Sequence, residues 1–252
     1  MASRVHSWNG EMFEIMAKTI GFIQRTAVKS LFWMLNPTDE LTCGVFFDAD
    51  QKAPKSRCAY KFAVMTAATQ DEANSFCLLD WGTKNVTCPA ISSACSELFG
   101  CYHAASKCTS LAHWLGGTCP NFQHKEILSL LGDNTACLLA VKKGDSDLAM
   151  LFSEDDCVLP RVMPRSIPLR LSLLHHLFQC GLVQLGHVES AWNLADITTK
   201  TQTKTIFSRL SKMMGVTFQL DQFEKAARQH NALVRIERNK MTAKLRPTDI
   251  AN

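Results

Sequence analysis

The sequence predicts an α/β fold in which a mixed five-stranded sheet is flanked by helices. Two observations lead there. Three strand-like apolar stretches follow one another early in the chain, and after one long helical stretch strands and helices alternate. A chain of 252 residues, 46% of them hydrophobic, has ample material for a buried core in one domain or two.

From Met12 to Leu35 the apolar residues Phe13, Met16, Ala17, Ile20, Ile23 and Ala27 recur on one helical face, until Asn36-Pro37 breaks the pattern. Cys43–Phe47, Cys58–Met65 and Ser75–Trp81 read as strands, separated by polar turns such as Gln51-Lys52-Ala53-Pro54-Lys55. Ser93 to Leu115 reads as a long helix with serines placed to cap its start and Gly116-Gly117 to close it. Ile127–Leu131 is then a buried strand, Thr135–Lys143 a helix, and Gly144 to Arg165 an acidic, proline-containing excursion. Ser166–Cys180 reads as a helix, Leu182–Val188 as a strand, and Ala191–Met214 as two short helices.

Composition narrows the class. The formal net charge of +4 tolerates a nucleic-acid partner without arguing for one. The eleven cysteines contain no C-x-x-C pair, and nearly all lie in apolar runs, where a free thiol packs as a small hydrophobe. No apolar leader follows a basic start, and no stretch is long enough to span a bilayer. The expectation is free thiols in a reducing, intracellular compartment, cytoplasmic or nuclear, and no membrane partner. The Asn85-Val86-Thr87 sequon is then idle.

Four acidic residues stand out: Asp48 in G-V-F-F-D-A-D, Glu97 in S-S-A-C-S-E-L, Asp133 in S-L-L-G-D-N-T-A and Asp196 in N-L-A-D-I-T-T-K. Three of them end or interrupt an apolar run, where a carboxylate is costly without a cation or hydrogen bonds. Taken singly, each has an ordinary structural reading, as a strand-end cap, a helix N-terminal charge or an exposed helix residue. Together they suggest a carboxylate cage for divalent metal, and hence phosphodiester chemistry.

The same segments carry a resemblance. The run M-A-K-T-I-G-F-I-Q-R-T-A-V-K-S-L-F-W-M-L-N-P-T-D-E-L-T-C-G-V-F-F-D-A-D, from Met16 to Asp50, resembles the junction of reverse transcriptase and ribonuclease H in copia-type retrotransposon polyproteins. L-L-D-W-G-T-K-N-V-T-C-P-A-I-S-S-A-C-S-E-L, G-D-N-T-A and N-L-A-D-I-T-T-K resemble, in order, that family's S-S-x-x-A-E turn, its D-N-x-x-A step and its L-A-D-I-L-T-K motif. The resemblance spans roughly residues 12 to 215. It implies a ribonuclease H-like domain at 41–215, a helical remnant of the reverse transcriptase connection at 1–40, and a basic helical or disordered tail at 216–252. No Y-x-D-D turn begins at Tyr60 or Tyr102, so a polymerase is not expected within the chain. A reverse transcriptase domain is expected as a partner, with this chain the C-terminal piece of a polyprotein.

What the resemblance implies is hydrolysis of the RNA strand of RNA–DNA hybrids with two divalent cations, Mg²⁺ or Mn²⁺. In such chemistry two ions about 4 Å apart hold the attacking water and the leaving oxygen. The family's four catalytic and metal-binding positions fall on Asp48, Glu97, Asp133 and Asp196, with Asp48 bridging both ions. His187 falls roughly where cellular ribonucleases H carry a histidine that assists product release, although a strand-end histidine is more often packed or solvated. Lys84, Arg170 and Lys200 are candidate substrate contacts, along with Lys107, Lys142, Lys143, Lys204 and Arg209; for each, a solvated face is the default. Asp50 of the D-A-D is expected to be a solvated or turn carboxylate outside the set.

Departures from the family matter. Cys95 stands where many relatives carry an additional acid, and R-S-I-P-L-R replaces K-H-I-D-I-R, which loses a histidine and an acid and adds Pro168. Gln51 replaces an aromatic residue. These losses bear on substrate positioning more than on metal. They leave two rivals to the hybrid nuclease: a catalytically inactive, decayed or domesticated nucleic-acid-binding remnant, and a metal nuclease of different substrate.

Overall fold

In the computed structural model the described residues are 14, 16–21, 29–31, 40–50, 56–66, 76–86, 92–119, 122, 128–144 and 166–218. Their central feature is a five-stranded sheet. We label the strands β1 (Lys29–Leu31), β2 (Leu41–Asp50), β3 (Arg57–Thr66), β4 (Phe76–Asn85), β5 (Leu128–Gly132), β6 (Val183–His187) and β7 (Val216–Phe218), and the helices α1 (Ser93–Thr118), α2 (Thr135–Lys143), α3 (Ser166–Gln179), α4 (Asp196–Thr199) and α5 (Lys204–Met213). The sheet order is β4-β3-β2-β5-β6. β2 pairs antiparallel with β3 and parallel with β5, which pairs parallel with β6. The mixed five-stranded α/β fold expected from the sequence is therefore the fold observed.

β2 sits in the middle and is covered on both faces, which is why it reads as a continuous apolar run and not an alternating one. Cys43, Val45, Phe47 and Ala49 point into the core built with α1, α2 and α3. Phe46 points into a smaller core with Val188, Leu194, Ala195, Leu210 and Met214 from the chain around α4 and α5. Asp48 has the same parity as Phe46 and so faces the smaller side.

α1 lies across the larger face. Its start is fixed by Ser92, whose side chain accepts a hydrogen bond from the Cys95 N–H at 3.1 Å. The buried stripe Ala94, Leu98, Cys101, Ala105, Cys108 and Ala112 is made mostly of small residues, so the helix seats low on the sheet. Gly100 marks the closest approach: a Cβ added there would lie 3.1 Å from the Asp48 carbonyl oxygen. The helix does not stop at Gly116-Gly117 but runs to Thr118, whose hydroxyl donates to the Trp114 carbonyl at 2.9 Å. Two glycines in a final turn cost about 1 kcal/mol each, which the cap contacts there help to offset.

Three further expectations need correction or placing. The helix expected from Met12 to Leu35 is seen at residues 16–21, but Lys29–Leu31 is a strand. It pairs antiparallel with Val216–Phe218, where a helical or disordered tail was expected to begin. The apolar helical stripe ends at Ala27, and Val-Thr-Phe is β-branched and aromatic, which explains both changes. Gly215, at φ +84°, turns the chain out of α5 into that strand, a conformation favouring glycine. The excursion at 145–165 and the tail beyond 218 lie outside the described residues.

The cysteines behave as small hydrophobes. Nine are free thiols among the described residues, and seven of these are buried. Burial pushes the thiols of Cys43 and Cys108 up to about 12, so they stay protonated and unreactive at neutral pH. Among the described residues no helix is long and apolar enough to cross a membrane.

The close approach at Gly100 yields a prediction. Gly100→Val places two methyl groups against the β2 backbone and should lower unfolding stability by about 1–3 kcal/mol, read as a lower denaturant midpoint. An unchanged midpoint would mean that α1 does not seat this close to β2.

Candidate metal centre

The sheet topology brings the four acidic residues to one end of the central strands. Asp48 lies near the end of β2 and is fully buried, at 0% exposure. Asp133 follows the last residue of the adjacent parallel strand β5, and Asn134 beside it caps α2 by accepting from the Cys137 N–H at 2.9 Å. Glu97 stands in the second turn of α1, brought to the strand end by the close seat at Gly100. Asp196 opens α4, which packs against β2 and β3.

One oxygen from each of Asp48, Glu97 and Asp133 lies within 4.8 Å of the others. At an effective dielectric of about 20, two unit negative charges at that separation repel by roughly 3–4 kcal/mol. Such a group is tolerated only with protons or cations. Glu97 shows the strain most clearly. It is 5% exposed, the Ala49 backbone supports it by a hydrogen bond, and among the described residues its Oε2 has no hydrogen-bond partner. Burial, then Asp48 and then Asp133, hold its carboxyl well above the ordinary carboxylate range.

Among the described residues, the cation paired with these carboxylates is Lys200. Its Nζ lies 2.9 Å from Asp48 Oδ1 and 2.9 Å from Asp196 Oδ1, and 3.7 Å from Asp133 Oδ2. The contact with Asp196 is a hydrogen bond. Asp48 Oδ1 takes no aligned hydrogen bond, so its contact with the ammonium is an ion pair at close range. Burial alone would lower the Lys200 ammonium, but Asp48 and Asp196 outweigh it and raise it. For Asp196, burial and then Asp48 raise the carboxyl to about 7 in spite of Lys200.

Asp196 is thus in the cluster but not among the three carboxylates that converge on one point; it reaches Asp48 through Lys200. Lys200, expected on a substrate-facing surface, lies instead among the carboxylates with its side chain 38% exposed. Asp50 shares the Asp48 side of the pleat by its two-residue spacing, but it is the last residue of β2, in register with Arg57, and is not among the converging acids.

The remaining candidates separate. His187 ends β6 in register with Gly132, next to Asp133 in the chain, and is exposed. Lys84 and Lys107 are exposed, on β4 and α1. Arg170 is engaged in packing: its guanidinium lies 4.4 Å from the Phe99 ring and 5.2 Å from that of Tyr102, and Nη1 donates to the Ser166 carbonyl. Arg209 lies 4.2 Å from the Trp192 ring and donates to the Ala191 carbonyl. Lys142 and Lys143 are exposed in the last turn of α2, and Lys204 is exposed at the start of α5.

Three supporting residues were not anticipated. Thr199 donates its hydroxyl to Asp48 Oδ2, and Ser190 donates to Asp133 Oδ2. Asn193 donates from Nδ2 to the Phe47 carbonyl at 2.9 Å and accepts from the Ala195 N–H, tying the α4 entry to the strand beside Asp48. The signal for Thr199 and Lys200 was present in N-L-A-D-I-T-T-K. At three and four residues beyond Asp196, they share its helical face.

The raised carboxyls set a pH dependence. Between the ordinary carboxylate pKa near 4 and about 7, the Asp196 carboxyl binds more proton in the folded chain than in the unfolded one. The slope of stability against pH is then negative, so these groups favour the fold at low pH, and stability falls as pH rises through that window. Metal-free thermal unfolding from pH 4.5 to 8 should show this fall, reduced in Asp196→Asn. A stability independent of pH across the window in the native chain would contradict the cluster's electrostatics.

No family model and no curated protein matches the chain. Among solved structures it is similar to an N-terminal RNase H domain from Mycobacterium tuberculosis, solved fused to maltose-binding protein, at 12% identity and TM-score 0.37, covering 69% of this chain and 98% of that one. It is similar to RNase H1 of the archaeon Halobacterium salinarum at 12% identity and TM-score 0.36, covering 61% and 90%. A third, LC11-RNase H1 in complex with an RNA/DNA hybrid, shares 7% identity at TM-score 0.34, covering 60% and 88%. These loose superpositions carry no weight for activity, substrate or metal, and the fold class rests on the strand order and layers of the sheet itself.

Proposed function

We propose that the chain is a metal-dependent endonuclease that hydrolyses the RNA strand of RNA–DNA hybrids, as the ribonuclease H part of a copia-type retrotransposon polyprotein. The observation that carries this reading is the convergence of Asp48, Glu97 and Asp133 on one point with Glu97 Oε2 buried and unpartnered. A buried, unpartnered carboxylate oxygen on an acid that converges with two others fits a hard divalent cation, Mg²⁺ or Mn²⁺, better than an uncharged structural role. Bound there, such a cation supplies Lewis-acid activation of the scissile phosphate and its attacking water.

The chain's own residues have distinct duties in this reading. Asp48, Glu97 and Asp133 would hold the ion, and Thr199 and Ser190 fix the orientations of two of them. Asp196 holds Lys200 against Asp48. His187, exposed and in register with the residue before Asp133, is in this reading the accessory histidine that assists product release. Lys84 and Lys107 remain available for phosphates, whereas Arg170 is occupied in holding α3 to α1. The order of sequence motifs supports the retrotransposon origin, a working domain at 41–215, a reverse transcriptase partner that helps hold the hybrid, and an intracellular site of action.

A second reading is the inactive remnant, favoured by the placement of Lys200, which neutralises part of the cluster without any added ion. The two are separated by incubating a labelled RNA–DNA hybrid with the native chain and with Asp133→Asn, in Mg²⁺ and in Mn²⁺. The expected result is metal-dependent cleavage of the RNA strand by the native chain and at least a hundredfold less by Asp133→Asn. A folded native chain that leaves the hybrid intact would refute the free-standing nuclease, and equal cleavage of duplex DNA would refute the substrate.

A further inference from the structure

We propose that Lys200 is an internal cation occupying one of the two cation positions of the carboxylate cluster, so that the folded chain takes a single divalent ion, held by Asp48, Glu97 and Asp133. The inference rests on the metal-dependent reading above and replaces its expectation of two ions.

The cluster divides into two parts. Asp48, Glu97 and Asp133 converge within 4.8 Å and leave Glu97 Oε2 without a partner. Asp48 and Asp196 do not close on an empty point, because the Lys200 ammonium stands between them, 2.9 Å from an oxygen of each. Asp48 therefore serves both parts, with Oδ1 beside the ammonium and Oδ2 receiving the Thr199 hydroxyl.

Local structure aims the ammonium there. The Lys200 N–H caps α4 by donating to the Asp196 carbonyl at 3.0 Å, and Gln202 Nε2 donates to the same carbonyl at 3.2 Å. The side chain folds back over its own short helix onto the carboxylate four residues earlier. Immobilising a lysine costs up to about 2 kcal/mol of side-chain entropy, so an exposed lysine rarely adopts one fixed position without strong partners. Here two largely buried carboxylates supply them, with side chains 0% and 7% exposed. A divalent ion between Asp48 and Asp196 would have to displace the ammonium, and the 38% exposure of the Lys200 side chain gives it a path outward. Toward the Asp48, Glu97 and Asp133 part the ammonium meets only the shared Asp48 Oδ1 at 2.9 Å and stands back to 3.7 Å from Asp133 Oδ2, so an ion held by these three competes with it less directly.

The test counts bound Mn²⁺ by electron paramagnetic resonance and calorimetry on the full chain, comparing native, Lys200→Met and Lys200→Arg. The native chain and Lys200→Arg should bind one ion tightly, and Lys200→Met should bind one more. In chelator, Lys200→Met should melt roughly 5–10 °C below the native chain, and Mn²⁺ should restore most of the loss because the second ion takes the ammonium's place. An identical ion count in native and Lys200→Met, at any number including zero, overturns the proposal. So does a Lys200→Met chain that stays unfolded in Mn²⁺, since a divalent ion would then not substitute for the ammonium. The cleavage assay is judged separately. Metal-dependent cleavage with unchanged counts sinks this inference alone, and an added ion in Lys200→Met without hybrid cleavage sinks the nuclease alone.

Discussion

A fully buried carboxylate on the central strand is the constraint around which the rest of the site is arranged. Asp48 is 0% exposed on the smaller face of the sheet, where an isolated charge would be prohibitive. Thr199 and Lys200 reach it from α4, and Asn193 ties the approach of α4 to the Phe47 carbonyl next to it. Leu194 and Ala195 then pack with Phe46 and Leu131 in the smaller core. The polar contacts to Asp48 and the apolar contacts of its neighbours thus hold the same short segment in place. Loss of either would loosen the other, which makes this part of the site and the fold one structural unit.

The opposite face explains the unusual composition. α1 must approach β2 closely enough for Glu97 to reach the strand end, and bulky side chains along its inner stripe would prevent that. Gly100, Ala104, Ala105, Cys101 and Cys108 provide the low profile. A cysteine is only slightly larger than alanine and more apolar than serine, so thiols suit this interface without any redox duty. The high thiol pKa values that burial imposes on Cys43 and Cys108 agree with that role.

Cationic residues divide by the same logic of partners. Arg170 and Arg209 lie over aromatic rings and donate to backbone carbonyls, so each holds a helix or loop in place. Lys200 answers the negative charge of the cluster. Lys84 and Lys107 extend from the surface. Charge count in the sequence cannot make this division, because a guanidinium over a ring and one facing solvent have the same local sequence signature.

The sequence by itself determined the order of strands and helices, the mixed sheet and the four acids worth watching. Those features depend on apolar periodicity and cap residues such as Ser92 and Asn134, which act over a few neighbours. It misplaced the 29–31 and 216–218 strands, since their pairing joins segments nearly the whole domain apart. Only the tertiary structure decided how the acids group. Asp48, Glu97, Asp133 and Asp196 look equivalent in sequence, yet three converge and the fourth meets Asp48 through Lys200. The reason is physical: Coulomb energy depends on distances between side chains that the parallel pairing of β2 with β5 and the seating of α1 and α4 set, and no local pattern encodes those distances.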